Sequence, residues 1–329
     1  MAGIKQELRI TLAALIVLFA AHFFASEYTL RLLNLALISA ITVLGLNFVF
    51  GWAGLISLAQ AAFVGFGAYA TALLTTRLKL DPWSASALAI AATAVTAVLV
   101  GSPILRLRGH YLALATLGLN VSFEIVTSNW LGLTSGTNGI MGIPPYRFAG
   151  ITLDSEATFF PLVWIALLVV TLAAYQLRDS RFGRGMIALR DDEIAVCMSG
   201  ISAVALKIIA FALGATYAAV SGVAFAHHSN FISPGDFNYI HSIFYLSMLI
   251  VGGEGSVLGA IGGAMLVTFL PEWLRPLGQA YLSVFGALVL IILVFLPKGI
   301  VSLIPLSALG RASPTDALAH RTVRRGDPA

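Results

Sequence analysis

This chain has very little charge. Only 10% of its 329 residues are Asp, Glu, Lys or Arg, where soluble domains carry about a quarter. A water-soluble globular domain is thereby excluded. Cysteine is nearly absent as well. Cys197 stands alone, so neither an intramolecular disulfide nor a cysteine-based metal site is available. The Walker-type phosphate loop, the Gly-x-Ser-x-Gly elbow and the His-Glu-x-x-His zinc signature are all missing. Those routes to phosphoryl transfer, acyl transfer and zinc-assisted hydrolysis are excluded within this chain, and no metal or other cofactor is expected in it. Adjacent His227 and His228 point about 100° apart on a helix and make a poor chelate. The net charge of +4 comes mostly from loops and the C-terminal tail, so it reports membrane topology and implies no nucleic-acid partner.

What is present is apolar sequence. Hydrophobic residues make up 59% of the chain, and the mean hydropathy is +0.93. Apolar runs fall near 10–25, 32–50, 55–76, 84–103, 110–128, 159–177, 205–226, 241–252, 256–270 and 280–297. They read as helices, since barrel strands alternate polar and apolar residues over short segments. With 31 glycines and 12 prolines, close helix contacts and interrupted helices are expected. The fold class is an all-α integral membrane protein, a polytopic helical bundle of about 8–10 transmembrane segments with broken helices. Residues 1–304 form the membrane domain. Residues 305–329, with Pro314, Gly326, Pro328 and several arginines, read as a flexible cytoplasmic tail near an anionic lipid surface. The runs 241–252 and 256–270 are short, and read as two half-helices or as one span with a glycine break.

Loop charges set the orientation. Lys5 and Arg9 precede the first run, which reads as a retained span because no tidy cleavage site follows it. Arg106, Arg108, the stretch 178–207, and Lys298, Arg311, Arg321, Arg324 and Arg325 fall on the same side, which is cytoplasmic by the positive-inside rule. Both termini are then cytoplasmic. Arg77 and Lys79 fall outside, against the rule.

The stretch 178–207 is the main polar interruption, with five basic and four acidic side chains. Such density cannot lie in hydrocarbon. Beyond Arg181 it reads as helix, filled by Met186, Leu189, Ile194, Val196 and Ile201 and ended or bent at Gly200. Charge alone leaves two readings, a solvated loop or a docking element for a cytoplasmic partner.

Two glycine clusters interrupt apolar sequence: Gly51 and Gly54 around Trp52 and Ala53, and Gly252, Gly253 and Gly255 around Glu254. Both read as backbone breaks and bending points. They are either counterparts in an inverted repeat or similar by chance. Ser57 and Gln60 follow the first break and share a helix face. Thr116, Asn120 and Glu124 recur every four residues and give a second polar stripe. Two readings stand for these residues, lining of a solute pathway or bonding to neighbouring helices. A carboxylate such as Glu124 faces a partner, a cavity or, near a helix end, the interface. Thr134, Ser135, Gly136, Thr137, Asn138 and Gly139 read as an ordered exterior turn or a plain loop.

Together these motifs resemble the membrane permease subunit of branched-chain amino acid ABC importers, of the LivM type. Gly51, Gly54, Ser57, Leu58 and Gln60 carry the likeness first, with Gly65, Gly67, Ala68 and Tyr69. Leu107, Arg108, Gly109, His110 and Tyr111 with Thr116 and Leu117 follow, then the turn from Thr134 to Ile140. Ser180, Arg181, Phe182, Gly183 and Arg184 precede the run from Ala188 to Glu193 and Gly200. Ser233, Pro234, Gly252, Gly253, Gly255 and Ser256 complete it, so that the likeness spans residues 40–275. The resemblance implies a cytoplasmic coupling helix within 178–207 that seats in an ATP-binding subunit. Its coupling positions are Ala188, Arg190, Asp191, Asp192, Glu193, Ala195 and Gly200. It further implies one half of an inner-membrane pathway for branched-chain amino acids or a related small polar solute. The implied partners are a homologous second permease of the LivH type, two ATP-binding subunits that hold ATP and Mg, and a periplasmic or lipid-anchored solute-binding protein. Ala59, His110, Ser135 and Glu254 depart from the family pattern and bear on the solute, since urea and aromatic-acid importers share the architecture. Two other classes stand beside this one. An ion-coupled secondary transporter would use Glu124. An intramembrane enzyme would use His110, Glu124, His227 or His228, without the spacing that metal ligands need.

Overall fold

Polar residues at the ends of the apolar runs decide where helices begin. The computed structural model describes residues 2–107, 109–148, 150–275, 281–296 and 299–303. The expected tail at 305–329, Arg108 and Lys298 lie outside the described residues. In chain order the helices are α1 (Ala2–Ala21), α2 (Glu27–Leu46), α3 (Gln60–Thr76), α4 (Pro82–Ile104), α5 (His110–Asn129), α6 (Leu131–Thr134), α7 (Glu156–Asp179), α8 (Arg181–Asp191), α9 (Glu193–Met198), α10 (Ala203–Ser229), α11 (Tyr239–Gly252), α12 (Val257–Leu274) and α13 (Tyr281–Phe295). Ser26, Asp81, Ser155, Ser202, Asn238 and Ser256 each accept a hydrogen bond from a first-turn amide, at the starts of α2, α4, α7, α10, α11 and α12. Those amides have no partner within the helix, which is why short oxygen-bearing side chains sit there.

Among the described residues, seven helices are long and apolar enough to cross a membrane. Three more are apolar but shorter: α3, α11 and α13, with 17, 14 and 15 residues. Counted together they reach the upper end of the expected range. At ~1.5 Å per residue α11 is only about 21 Å long, against ~30 Å of hydrocarbon. α2 is the central helix: 83% of its span is buried, against 22% for α4 and for α5, which lie at the periphery.

Contacts between distant parts of the chain define the two ends of the bundle. Glu7, Gly51, Arg178, Arg190 and Ser256 meet at one end. At the other end the Arg77 guanidinium donates to the Gly132 carbonyl at 2.7 Å, and the Trp83 indole to the Arg147 carbonyl at 3.0 Å. Short strands lie there too: β1 (Ile140–Met141), β2 (Arg147–Phe148), β3 (Ile151–Thr152) and β4 (Phe231–Ile232). β1 pairs with β4 and β2 with β3, both antiparallel. The turn around residues 134–139 is thus part of an ordered ledge.

α11 and α12 turn back on each other. A Cβ placed on Gly263 would lie 2.0 Å from the Met248 carbonyl oxygen, and one on Gly252 2.0 Å from the Gly259 carbonyl oxygen. Only glycines permit backbones so close. The single-span reading of this region is therefore replaced by an antiparallel hairpin. The glycine clusters also prove to be neighbours. The Trp52 indole donates to the Gly255 carbonyl at 3.1 Å, and Asn47 Oδ1 accepts from the Gly255 amide at 2.8 Å. Counterparts in an inverted repeat would lie at opposite ends, so these two clusters are not such a pair.

Candidate functional site

α2 ends in a π-helical turn, Asn47–Trp52, and the chain then stays unwound until Gln60 opens α3. Backbone groups exposed by such a break need partners when buried. The two polar stripes supply them. The Leu58 amide donates to Thr116 Oγ1 at 3.0 Å, and Asn120 Nδ2 donates to the Leu58 carbonyl at 3.1 Å. Asn120 also donates to Ser242 Oγ at 2.7 Å, which in turn accepts from the Ala61 amide at 2.9 Å. Gln60 Nε2 donates to the carbonyls of Thr42 and Gly214, both at 3.1 Å, and so joins α2 to α10. Ser57 Oγ accepts from the Ala59 amide at 3.4 Å. All these side chains are buried. Glu124 stands one turn beyond Asn120, half-exposed, and is not part of the cluster. Ser242 was not legible as a partner, because its role depends on a contact across 181 residues of chain.

The stretch 178–207 folds as α8 and α9, which pack against the same end of the bundle. Asp192 separates them: its backbone is extended, and its Oδ1 accepts from the amides of Ile194 at 2.8 Å and Ala195 at 3.1 Å. The stretch that reads as helix beyond Arg181 is thus two short helices meeting at a cap. Met186, Leu189 and Val196 are buried as expected, but Ile194 is 70% exposed and Ile201 is also exposed. Both face away from the bundle, alongside exposed Met198. Ala188, Asp191, Ala195 and Gly200 are exposed as well, and Glu193 is half-buried. Lys207 Nζ donates to both carboxylate oxygens of Glu193 at 2.9 Å.

Arg190 joins α8 to both glycine clusters. Its Nη1 donates to the Gly51 carbonyl at 2.5 Å, and its Nη2 pairs with the Glu254 carboxylate. Gly54 has φ of +68°, and a Cβ there would lie 2.9 Å from the Arg190 side chain. A cleft of about 260 Å³ opens beside this junction, between residues 53–56, the turn before α5, and α8–α9.

Glu7 makes a second junction that the sequence did not disclose. Its Oε1 accepts from Ser256 Oγ at 2.7 Å and from the Val257 amide at 3.1 Å, and its Oε2 accepts from Arg178 Nη1 at 2.6 Å. The carboxylate therefore caps α12 at its positive dipole end. A lone acidic residue between Lys5 and Arg9 was the available signal.

At the other end, His227 donates through Nδ1 to the Pro144 carbonyl at 2.7 Å and, as a neutral ring, accepts from Thr71 Oγ1 at 3.1 Å. His228 Nε2 lies 2.8 Å from Glu156 Oε2. The two rings diverge, as adjacency on a helix dictates. Among the described residues no group of three or more His, Cys, Asp and Glu is placed to hold a metal.

Comparison with known proteins adds to this geometry. The family described as branched-chain amino acid transport system / permease component matches residues 28–297. The high-affinity branched-chain amino acid transport system permease protein LivM of Escherichia coli is 34% identical over 321 residues, covering 90% of this chain and 75% of that protein. Its Salmonella typhimurium namesake is 32% identical over the same shares. The ribose import permease protein RbsC of Haemophilus influenzae is 24% identical over 87% of this chain and 89% of its own. No solved structure matches the chain.

Proposed function

Because the chain belongs to the family of branched-chain amino acid transport permease components, we propose that it forms half of an ATP-driven import pathway for branched-chain amino acids. A homologous permease forms the other half, as relatives named LivM and LivH in one organism suggest. Two further subunits bind ATP and Mg, and a periplasmic or lipid-anchored protein delivers solute to the ledge of β1 and β4. The end bearing α8 and α9 faces the cytoplasm of a bacterial cell, in accord with its many lysines and arginines.

The observation that carries this reading is the double contact of Arg190 with Gly51 and Glu254. Exposed Ile194, Met198 and Ile201 offer apolar surface for a groove on an ATP-binding subunit. Closure of that subunit moves α8 and α9. Arg190 passes the motion at once to the break at 53–59 and to the turn of the α11–α12 hairpin. Gly51, Gly54, Gly252, Gly253 and Gly255 then act as the yielding points. Ser57, Gln60, Thr116 and Asn120 hold the edge of the pathway, with Glu124 further along α5.

Gentle purification of the tagged chain from its host tests the reading. Copurification of two ATPase subunits and a second permease, with ATP-driven leucine uptake in proteoliposomes, is the expected result. Recovery of the chain alone, with uptake that is independent of ATP and abolished by an uncoupler, would instead establish ion coupling through a residue such as Glu124.

A further inference from the structure

The bundle holds a second cavity, away from the coupling end and separate from the polar cluster at 53–60. Its volume is about 280 Å³, just below the usual ~300–1,000 Å³ of ligand pockets. It admits a solute of single-amino-acid size. Walls from α2, α10, α11 and α12 contribute Leu35, Ile38, Phe225, Met248 and Val267. Polar groups come from Ser39, Asp236, His241, Tyr245 and Thr268.

The polar set has one sign. Asp236 is a carboxylate, and no lysine or arginine lines the cavity among the described residues. Ser233 donates to Asp236 Oδ2 twice, from its amide at 2.8 Å and its hydroxyl at 2.9 Å, and no protein donor reaches Oδ1 among the described residues. His241 Nδ1 lies 3.1 Å from Asn238 Oδ1, an oxygen that can only accept, so Nδ1 carries a proton, and in the neutral ring the lone pair is then on Nε2. Thr268 has a buried Oγ1 without a hydrogen-bond partner. A buried polar atom left unpaired carries a desolvation cost.

We propose that this cavity is a transit site for a solute with a protonated amine and an aliphatic body, with Asp236 as the counter-charge of the amine. The proposal rests on the import reading above and gives it a charge filter. Carboxylate and imidazole lone pair both attract an ammonium group and disfavour an anion. Aliphatic carbons meet the apolar wall. An aromatic acid without an amine finds no cation in the lining, and urea finds no use for the carboxylate charge.

The test is thiol protection in the full transport complex without its binding protein. Thr268→Cys, and separately Ser39→Cys, are placed in a Cys197→Ser background and labelled with a small thiol reagent. The probes are leucine, isopentylamine and 4-methylpentanoate, which carry both polar groups, only the amine and only the acid. Leucine and isopentylamine are expected to protect the introduced thiol, and 4-methylpentanoate is not. Asp236→Asn keeps an acceptor for Ser233 but removes the charge, and should raise the half-protecting concentration of leucine by about tenfold or more. Ser233→Ala removes the cap, keeps the charge and should leave protection essentially unchanged. Absence of protection at both positions, equal protection by the acid, indifference to Asp236→Asn, or equal losses in Asp236→Asn and Ser233→Ala would each overturn the site. Failure of the import reading registers separately, as loss of ATP dependence in leucine uptake by the unaltered complex.

Discussion

Arg190 contacts a carbonyl and a carboxylate that belong to different breaks in the chain. Hydrogen bonds to charged groups contribute about 1.5–3 kcal/mol each. Arg190→Ala should therefore cut ATP-driven uptake by about tenfold or more, while leaving assembly with partner subunits intact. Glu254→Gln should cost less, since the Gly51 contact survives. Uptake and copurification, measured on the same preparations, check both. Glu7 answers to a different readout. It is 7% exposed, and its removal leaves the Arg178 guanidinium without its counter-ion and the Ser256 hydroxyl and Val257 amide without their acceptor. Glu7→Ala should destabilise the folded protein by about 1–3 kcal/mol, seen as a lower Tm in detergent. Thr116 and Asn120 were legible because four-residue spacing puts them on one face. Their partner was not, because nothing local says that the carbonyl and amide of Leu58 are left unpaired. Glu7 was obscured by the basic residues around it, which sufficed to explain a charged N-terminus.

At the scale of elements, the α11–α12 hairpin depends on glycine at a few points only. A Cβ on Gly263 meets a carbonyl at 2.0 Å, whereas one on Gly262 meets nothing within 4 Å. Gly263→Val should abolish recovery of folded protein, and Gly262→Val should be recovered at the level of the unaltered chain, as monitored by size-exclusion chromatography in detergent. Gly54 combines a left-handed backbone with a side chain pressed against it. Gly54→Val should stop uptake without preventing assembly, and normal uptake in that variant would remove Gly54 from the mechanism. Length and hydropathy located the helices well. They could not separate a span with a kink from a hairpin, because the deciding fact is the approach of Gly252 to Gly259 and Gly263. The split between α8 and α9 was hidden for a similar reason. Asp192 lies in an acidic run that fits a helix, and only its extended backbone reveals it as a cap.

At the scale of the whole molecule, two irregular stretches interrupt the series of long helices. α1 and α2 precede the unwound stretch at 53–59, and α3, α4 and α5 follow it. α7 and α10 precede the irregular stretch at 230–238, and α11, α12 and α13 follow it. Just beyond them the two stretches are joined, where the Ala61 amide donates to Ser242 Oγ at 2.9 Å. The first lies against Arg190 and the second bears Asp236. Orientation is checked with a thiol reagent that does not cross membranes. Exposed Cys197 should stay unlabelled in intact cells and react once they are permeabilised. Met141→Cys in a Cys197→Ser background should react in both.

The bond between Glu7 and Ser256 has a consequence for biogenesis. Its partners are 249 residues apart in the chain, which at ~5–20 residues per second corresponds to roughly 12–50 s of synthesis. For the first 171 residues of that interval the carboxylate of the finished first helix has no arginine to bind, and until its end no helix start. The N-terminal segment gains its full set of partners only when the last quarter of the protein is being made. Its docking then marks the point at which the bundle closes.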